Sequence, residues 1–218
     1  MITTDIITEV RRLIQDQDEP FRFSDEVILG YVNQTLRKTA LLRPDLFARV
    51  TTLATTPNET IQAAPQDSIR IMDVFRVEGG DGVIETSKTS LDQTYPQWVN
   101  DAPRPCINWM RHARNANRFF IYPKAPEGQQ LVVEYAQTPR NYALGETIEL
   151  LPEAYFPVIV DGTVFLSQSI DDESVLNQRA QMFLESYLSV LGANLQSRVL
   201  TDSDEPNAGV QEGSMVNE

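Results

Sequence analysis

Any chemistry this chain performs has to pass through very few side chains. His112 is the one histidine and Cys106 the one cysteine among its 218 residues. A Ser-His-Asp or Cys-His arrangement needs an imidazole to take the proton, so either would have to be built on His112. Zinc needs several Cys or His ligands, a set the chain does not possess. A lone cysteine closes no intramolecular disulfide, which suits a reducing compartment. The sequence has no phosphate-cradling glycine loop, no G-x-S-x-G elbow and no H-E-x-x-H pattern. Acidic runs from Asp16 to Glu19, Asp171 to Glu173 and Asp202 to Glu205 offer oxygen ligands of the kind a divalent cation takes. Two of them fall at expected helix boundaries and one in a polar tail, where solvated charge is the ordinary occupant. The expectation is a protein without catalysis, cofactor or metal.

The other concentration of chemistry is basic. Arg104, Arg111, Arg114, Arg118 and Lys124 alternate with Trp109, Phe119, Phe120 and Tyr122, with no acid between positions 104 and 124. Interleaved cations and rings are one way of gripping single-stranded nucleic acid. Opposing that reading, the whole chain carries a net charge of −13, a field that repels phosphate. The simpler reading is a hairpin with rings inward and arginines outward, and pairing with a neighbouring subunit's carboxylates is a third use. Arg104, Trp109, Arg111, Arg114 and Arg118 are therefore candidate contact residues. Trp98 and Trp109 attract attention because tryptophan is enriched at interfaces. Tyr155, Phe156, Phe183 and Tyr187 read as inter-helix packing, and His112 as a hairpin surface residue.

The elements that must position these residues fall into three stretches. Ile6, Val10, Leu13 and Ile14 recur at helical spacing behind Thr3 or Thr4 as candidate N-caps. A second helix opens at Ser24, with Asp25 and Glu26 favouring its positive end and Phe23 and Ile28 placed to staple it. Its expected apolar face is Val27, Ile28, Tyr31, Val32, Leu36 and Leu41, and Arg43-Pro44 stops it. Between residues 49 and 150 the period changes to short β-branched or aromatic runs: 50–53, 60–62, 69–77, 83–85, 107–110, 119–122 and 131–135. These predict antiparallel strands, with turns at Gly79 to Gly82 and Asn115 to Asn117. Residues 92–105 predict a loop or short helix. Helices return over 153–169 and 173–191, the second ending at Gly192.

The fold class expected is α+β, with residues 1–48 and 151–198 forming one helical bundle and residues 49–150 a central antiparallel β region. The apolar content of 41% is that of a globular protein, and a chain this long buries roughly 70% of its unfolded surface without staples. The longest apolar stretch, from Tyr155 to Leu166, is broken by Pro157, Asp161 and Gly162 and falls short of the ~20 residues a membrane helix needs. No basic and apolar leader opens the sequence, so no secretory signal is expected. Residues 199–218 lack Lys and Arg and read as an acidic, extended tail. Val199, Leu200, Val210 and Met215 along it are candidate contacts that become ordered on a partner.

Several segments occur in an order that carries a resemblance. Phe23-Ser24-Asp25-Glu26 opens one helix and Leu41-Leu42-Arg43-Pro44-Asp45 closes it. Ile69 to Val74, Phe119 to Pro123 and Leu131 to Tyr135 follow as strands, and Leu150 to Tyr155 opens the third helix. In this order and spacing, residues 2–195 resemble the head–tail adaptor (portal-to-tail connector) family of short-tailed phages. The resemblance implies a structural virion protein assembled in the host cytoplasm, with no membrane partner. It further implies that twelve copies form a ring between the portal protein and the tail nozzle protein, with DNA passing through its channel unbound. Rival expectations are a nucleic-acid-binding module using residues 104–124, or another ring-forming tail completion protein.

Overall fold

The computed structural model describes residues 1–169 and 176–201, the stretches 176–177 and 193–201 through their backbone. The described residues form five helices and two sheets, an α+β architecture.

Helix α1 (Thr3–Ile14) and helix α2 (Asp25–Leu42) form the N-terminal pair. Ile2, not a threonine, occupies the N-cap of α1, and no side chain caps it. The reason is tertiary. Ile2 is held extended by a bridge to Thr147, and the Thr3 hydroxyl donates to the Ala143 carbonyl at 3.0 Å. Ser24 caps α2 as its sequence predicts, accepting from the Val27 amide. Phe23 and Ile28 enter the same apolar cluster. The buried stripe of α2 is Ile28, Val32, Leu36 and Ala40, whereas Val27 and Leu41 stay exposed, Leu41 at 70%. The true core face is thus rotated from the one expected, with Asn33, Thr35 and Thr39 completing it.

The link between α1 and α2 turns on a buried cation. Arg11 donates to Asp16 Oδ2 at 2.9 Å, to Asp25 Oδ1 at 2.6 Å and to the Phe23 carbonyl at 2.7 Å. The other Asp16 oxygen accepts the Arg22 amide at 2.7 Å. The two buried charges of this turn, Arg11 and Asp16, are matched by hydrogen-bonding partners, as burial requires. The acidic run here is therefore structural at Asp16.

Seven strands follow at the predicted places: β1 (Ala48–Ala54), β2 (Ile61–Ala63), β3 (Ser68–Val77), β4 (Ile84–Glu85), β5 (Asn108–Arg111), β6 (Arg118–Tyr122) and β7 (Gln130–Gln137). One sheet runs β1-β7-β3, antiparallel, and the other β2-β6-β5-β4. The expectation of wholly antiparallel pairing fails at one place, since β4 pairs with β5 in parallel. The segment from Thr86 to Ile107 returns the chain to the same end of the sheet, and such a crossover makes parallel pairing possible. That segment holds α3 (Lys88–Thr94) and a short 3-10 turn at Trp98–Asn100. The glycine turn forms as predicted: Gly79 adopts φ +68°, and the Gly80 amide donates to the Val77 carbonyl.

After a 3-10 turn at Glu153–Tyr155 come α4 (Phe156–Gln168) and α5 (Leu176–Thr201). α5 does not stop at Gly192. The residues after it, Ala193 to Arg198, are mostly ordinary helix formers, and a helix tolerates one interior glycine at a cost of about 1 kcal/mol. Val199 and Leu200 accordingly lie on helical backbone rather than in an extended tail, and Val210 and Met215 lie outside the described residues.

α4 packs against α1, α2 and α5. Gly162 makes this possible. A Cβ there would lie 2.6 Å from the Thr35 methyl and 3.0 Å from the Tyr187 ring. The Tyr187 hydroxyl meets Thr39 Oγ1 at 2.9 Å, and Arg43 donates to the Leu191 carbonyl at 3.1 Å, fastening α5 to the end of α2. Ile6, Val10, Ile28, Leu36, Phe47, Ile159 and Val164 form the helical core. A second core, of Trp109, Phe119, Ile121, Leu131 and Val133, lies between the sheets.

Gly162→Ala should destabilise the protein by about 1–3 kcal/mol through overpacking, seen as a lower denaturation midpoint. Leu36→Asp, which buries an unpaired charge, should cost several kcal/mol, on the order of the whole stability. Thermal unfolding that matches the parent in either variant would contradict this packing.

Candidate assembly surface

The β5–β6 hairpin divides the basic island in two. Arg111, Arg114 and Arg118 gather at its tip, around the Asn115 to Asn117 turn. Arg104 and Lys124 stand at its other end, joined by a backbone hydrogen bond of 3.1 Å. About four strand residues, roughly 13 Å, separate the groups. Arg104 reaches Asp101 at 3.4 Å, and Arg111 is gripped by Glu85 at 2.6 Å. Arg114 and Arg118 are exposed.

The rings of the island are already in use. Trp109 is fully buried and meets Phe119 edge to face at 6.5 Å, so it is a core residue rather than one presented to a partner. Alternation along β6 sends Phe119 and Ile121 into the second core and Phe120 and Tyr122 to the opposite face. There the segment of α3 and its 3-10 turn covers them. Trp98, also buried, lies 6.3 Å from Phe120 and 6.2 Å from Tyr122, and its indole N–H donates to Asp92 at 2.8 Å. His112 stacks on Phe120 at 5.2 Å, and its Nδ1 accepts the Asn115 amide at 3.0 Å. That nitrogen is spent on shaping the turn. Base stacking needs open ring faces, and these faces carry intramolecular contacts instead.

Asp101 gathers this outer layer. Its oxygens accept the Tyr95 hydroxyl at 2.7 Å and the Tyr122 hydroxyl at 2.9 Å. These two bonds hold its carboxyl below the usual range, while the same bonds raise both phenols. Cys106 Sγ donates to the Asn108 carbonyl at 3.3 Å, and burial pushes the thiol up to about 12 against the pull of backbone groups at Tyr122 and Asn108. A thiol so protonated is a poor nucleophile. Among the described residues, no group of three His, Cys, Asp or Glu is placed to hold a metal ion, and no helix is long and apolar enough to cross a membrane.

Two surface features escaped sequence reasoning. Arg70, on β3, stands beside the hairpin tip, although some forty residues of sequence separate it from Arg111. An apolar groove between α2, α4 and α5, about 290 Å³, is lined by Leu41, Leu42, Phe165, Leu184 and Leu188. Periodicity could have flagged it through Leu41, which falls off the buried stripe of α2.

The fold is thus a mixed α+β one whose aromatic rings at the hairpin are engaged in intramolecular contacts, with charged and apolar strips outside. The chain belongs to the SU10 adaptor protein family, a family of phage head–tail adaptors, whose pattern it matches over residues 1–209. It is thus a virion component of the structural class. Comparison with curated proteins finds no match.

Native Cys106 should resist alkylation at neutral pH and react fully once the protein is unfolded, measured by thiol titration. Asp101 has a depressed folded pKa, so its contribution is present above the usual carboxylate pKa of about 3.9 and is lost as pH falls through the lower folded value. The stability difference between the parent and Asp101→Asn should therefore shrink below about pH 4, read from denaturation midpoints against pH.

Proposed function

We propose that this chain is a non-catalytic ring subunit. Twelve copies would close between the portal and the tail nozzle, leaving a channel through which DNA passes without specific binding. In this reading α1, α2, α4 and α5 act as one bundle from which the sheets project. The observation that carries it is family membership over almost the whole chain. Physical features support it. A net charge of −13 gives a wall along which DNA slides without being trapped. The exposed leucines of the α2–α4–α5 groove are the kind of apolar strip a monomer leaves only where something covers it.

Residues 202–218 continue from the end of α5 and carry acids without a Lys or Arg. We assign them to attachment, on the portal or on a neighbouring subunit, where many weak tails act together through effective concentration.

Electron microscopy of the purified chain mixed with its portal should show a closed ring against the portal face. A chain that stays monomeric in that mixture would defeat the proposal. Deleting residues 202–218 should leave the melting temperature nearly unchanged and weaken portal binding or ring closure. Tight, salt-sensitive binding of single-stranded DNA would favour the nucleic-acid reading instead.

A further inference from the structure

A small cleft of about 170 Å³ lies where β3 passes the tip of the β5–β6 hairpin. Its polar lining is three arginines and a histidine: Arg70 from β3, Arg111 and His112 from the end of β5, and Arg118 from the start of β6. Its apolar lining includes Trp109 and Phe119, both fully buried. The wall is fixed by two hydrogen bonds: the Ile71 amide donates to the Ala116 carbonyl at 3.3 Å, and the Arg111 guanidinium to the Met72 carbonyl at 2.8 Å.

Two observations indicate what the cleft takes. The first is an orphan donor. The indole N–H of Trp109 is buried without an acceptor, although the other tryptophan, Trp98, gives its N–H to Asp92. A buried donor without a partner costs about 1–3 kcal/mol, a penalty an incoming oxygen would remove. The second is unmatched charge. Arg111 holds Glu85, but among the described residues no carboxylate lies within ion-pair distance of Arg70 or Arg118. Two guanidinium groups, one orphan N–H and a narrow apolar wall are the recognition chemistry of a single carboxylate.

We infer that this cleft binds an aspartate or glutamate side chain supplied by a second copy of this chain. The inference rests on the ring reading for the source of the carboxylate, not for the chemistry of the cleft. The chain has 31 acidic residues against 18 Lys and Arg, so a like copy brings a surface of the required sign. Nucleic acid fits less well: the flanking ring faces are covered, and the surrounding charge opposes a polyanion.

The test uses the full chain and has two arms. In the first, a short polyglutamate peptide is titrated while the indole N–H resonances are followed by NMR. The Trp109 signal should move and the Trp98 signal stay, and Arg70→Glu with Arg118→Glu should weaken binding by roughly tenfold or more. Both arginines are exposed, so the variant keeps the fold, which its melting curve checks. In the second arm, sedimentation of the same variant should show self-association weakened by a similar factor. An unmoved Trp109 resonance overturns the inference, as does an oligothymidylate that outcompetes the peptide at equal salt. Peptide binding lost with self-association intact overturns the second copy as the source. A parent chain that binds the peptide yet never self-associates defeats the ring and that source, while the carboxylate chemistry stands.

Discussion

The helical half of the molecule depends on how closely α4 can approach its neighbours, and that distance is set at Gly162. The missing side chain lets the Thr35 methyl and the Tyr187 ring close over the α4 backbone. With that contact made, Tyr187 reaches Thr39 and Arg43 reaches the Leu191 carbonyl, so α5 is fixed to the end of α2. With α4 displaced outward by a side chain, neither bond would keep its geometry. The apolar stripes of α1 and α2 would also lose the element they share, since α4 packs on both.

Buried charge does comparable work at the joints. Arg11 and Asp16 close the α1–α2 link, and Arg43, almost wholly buried, pairs bidentately with Asp45 at 2.9 and 2.7 Å where α2 gives way to β1. Each pair breaks expensively, because the partner left behind would be an uncompensated charge. These ion pairs fix the angles at which the chain leaves a helix, which apolar contacts alone specify loosely. A reader of the sequence sees the acidic run and Arg43-Pro44 as punctuation. The structure shows Asp16 and Arg43 as the ion-paired joints at which the chain changes direction.

Much of this was legible beforehand because it is local. Ser24 with Asp25 and Glu26 carries its own capping chemistry, and all seven strand runs carry their β-branched and aromatic composition. What failed depended on distant partners. Thr3 loses the N-cap because Ile2 pairs with Thr147, and Leu41 is exposed because the stripe through Leu36 and Ala40 meets α4 instead. The residue type of Trp98 and Trp109 draws attention to them as interface candidates, but it does not reveal that one covers the outer face of β6 and the other packs between the sheets. For the same reason one member of the hairpin-tip cluster could not be read. Arg111, Arg114 and Arg118 are neighbours in sequence, whereas Arg70 arrives through the path of β3.

The irregular course of β3 has a consequence for how two molecules of this chain can meet. Its pairing with β7 shifts register at three places, between Ser68 and Arg70, Ile71 and Asp73, and Val74 and Arg76. Along its other side, the Ile71 and Val77 amides are taken by Ala116 and Asp81, and the Phe75 carbonyl by Val83. A strand that is kinked, arginine-bearing and already bonded along its border is a poor template for another molecule's backbone. Along this border strand-on-strand growth from one molecule to the next is disfavoured, and side chains are left to decide who meets whom.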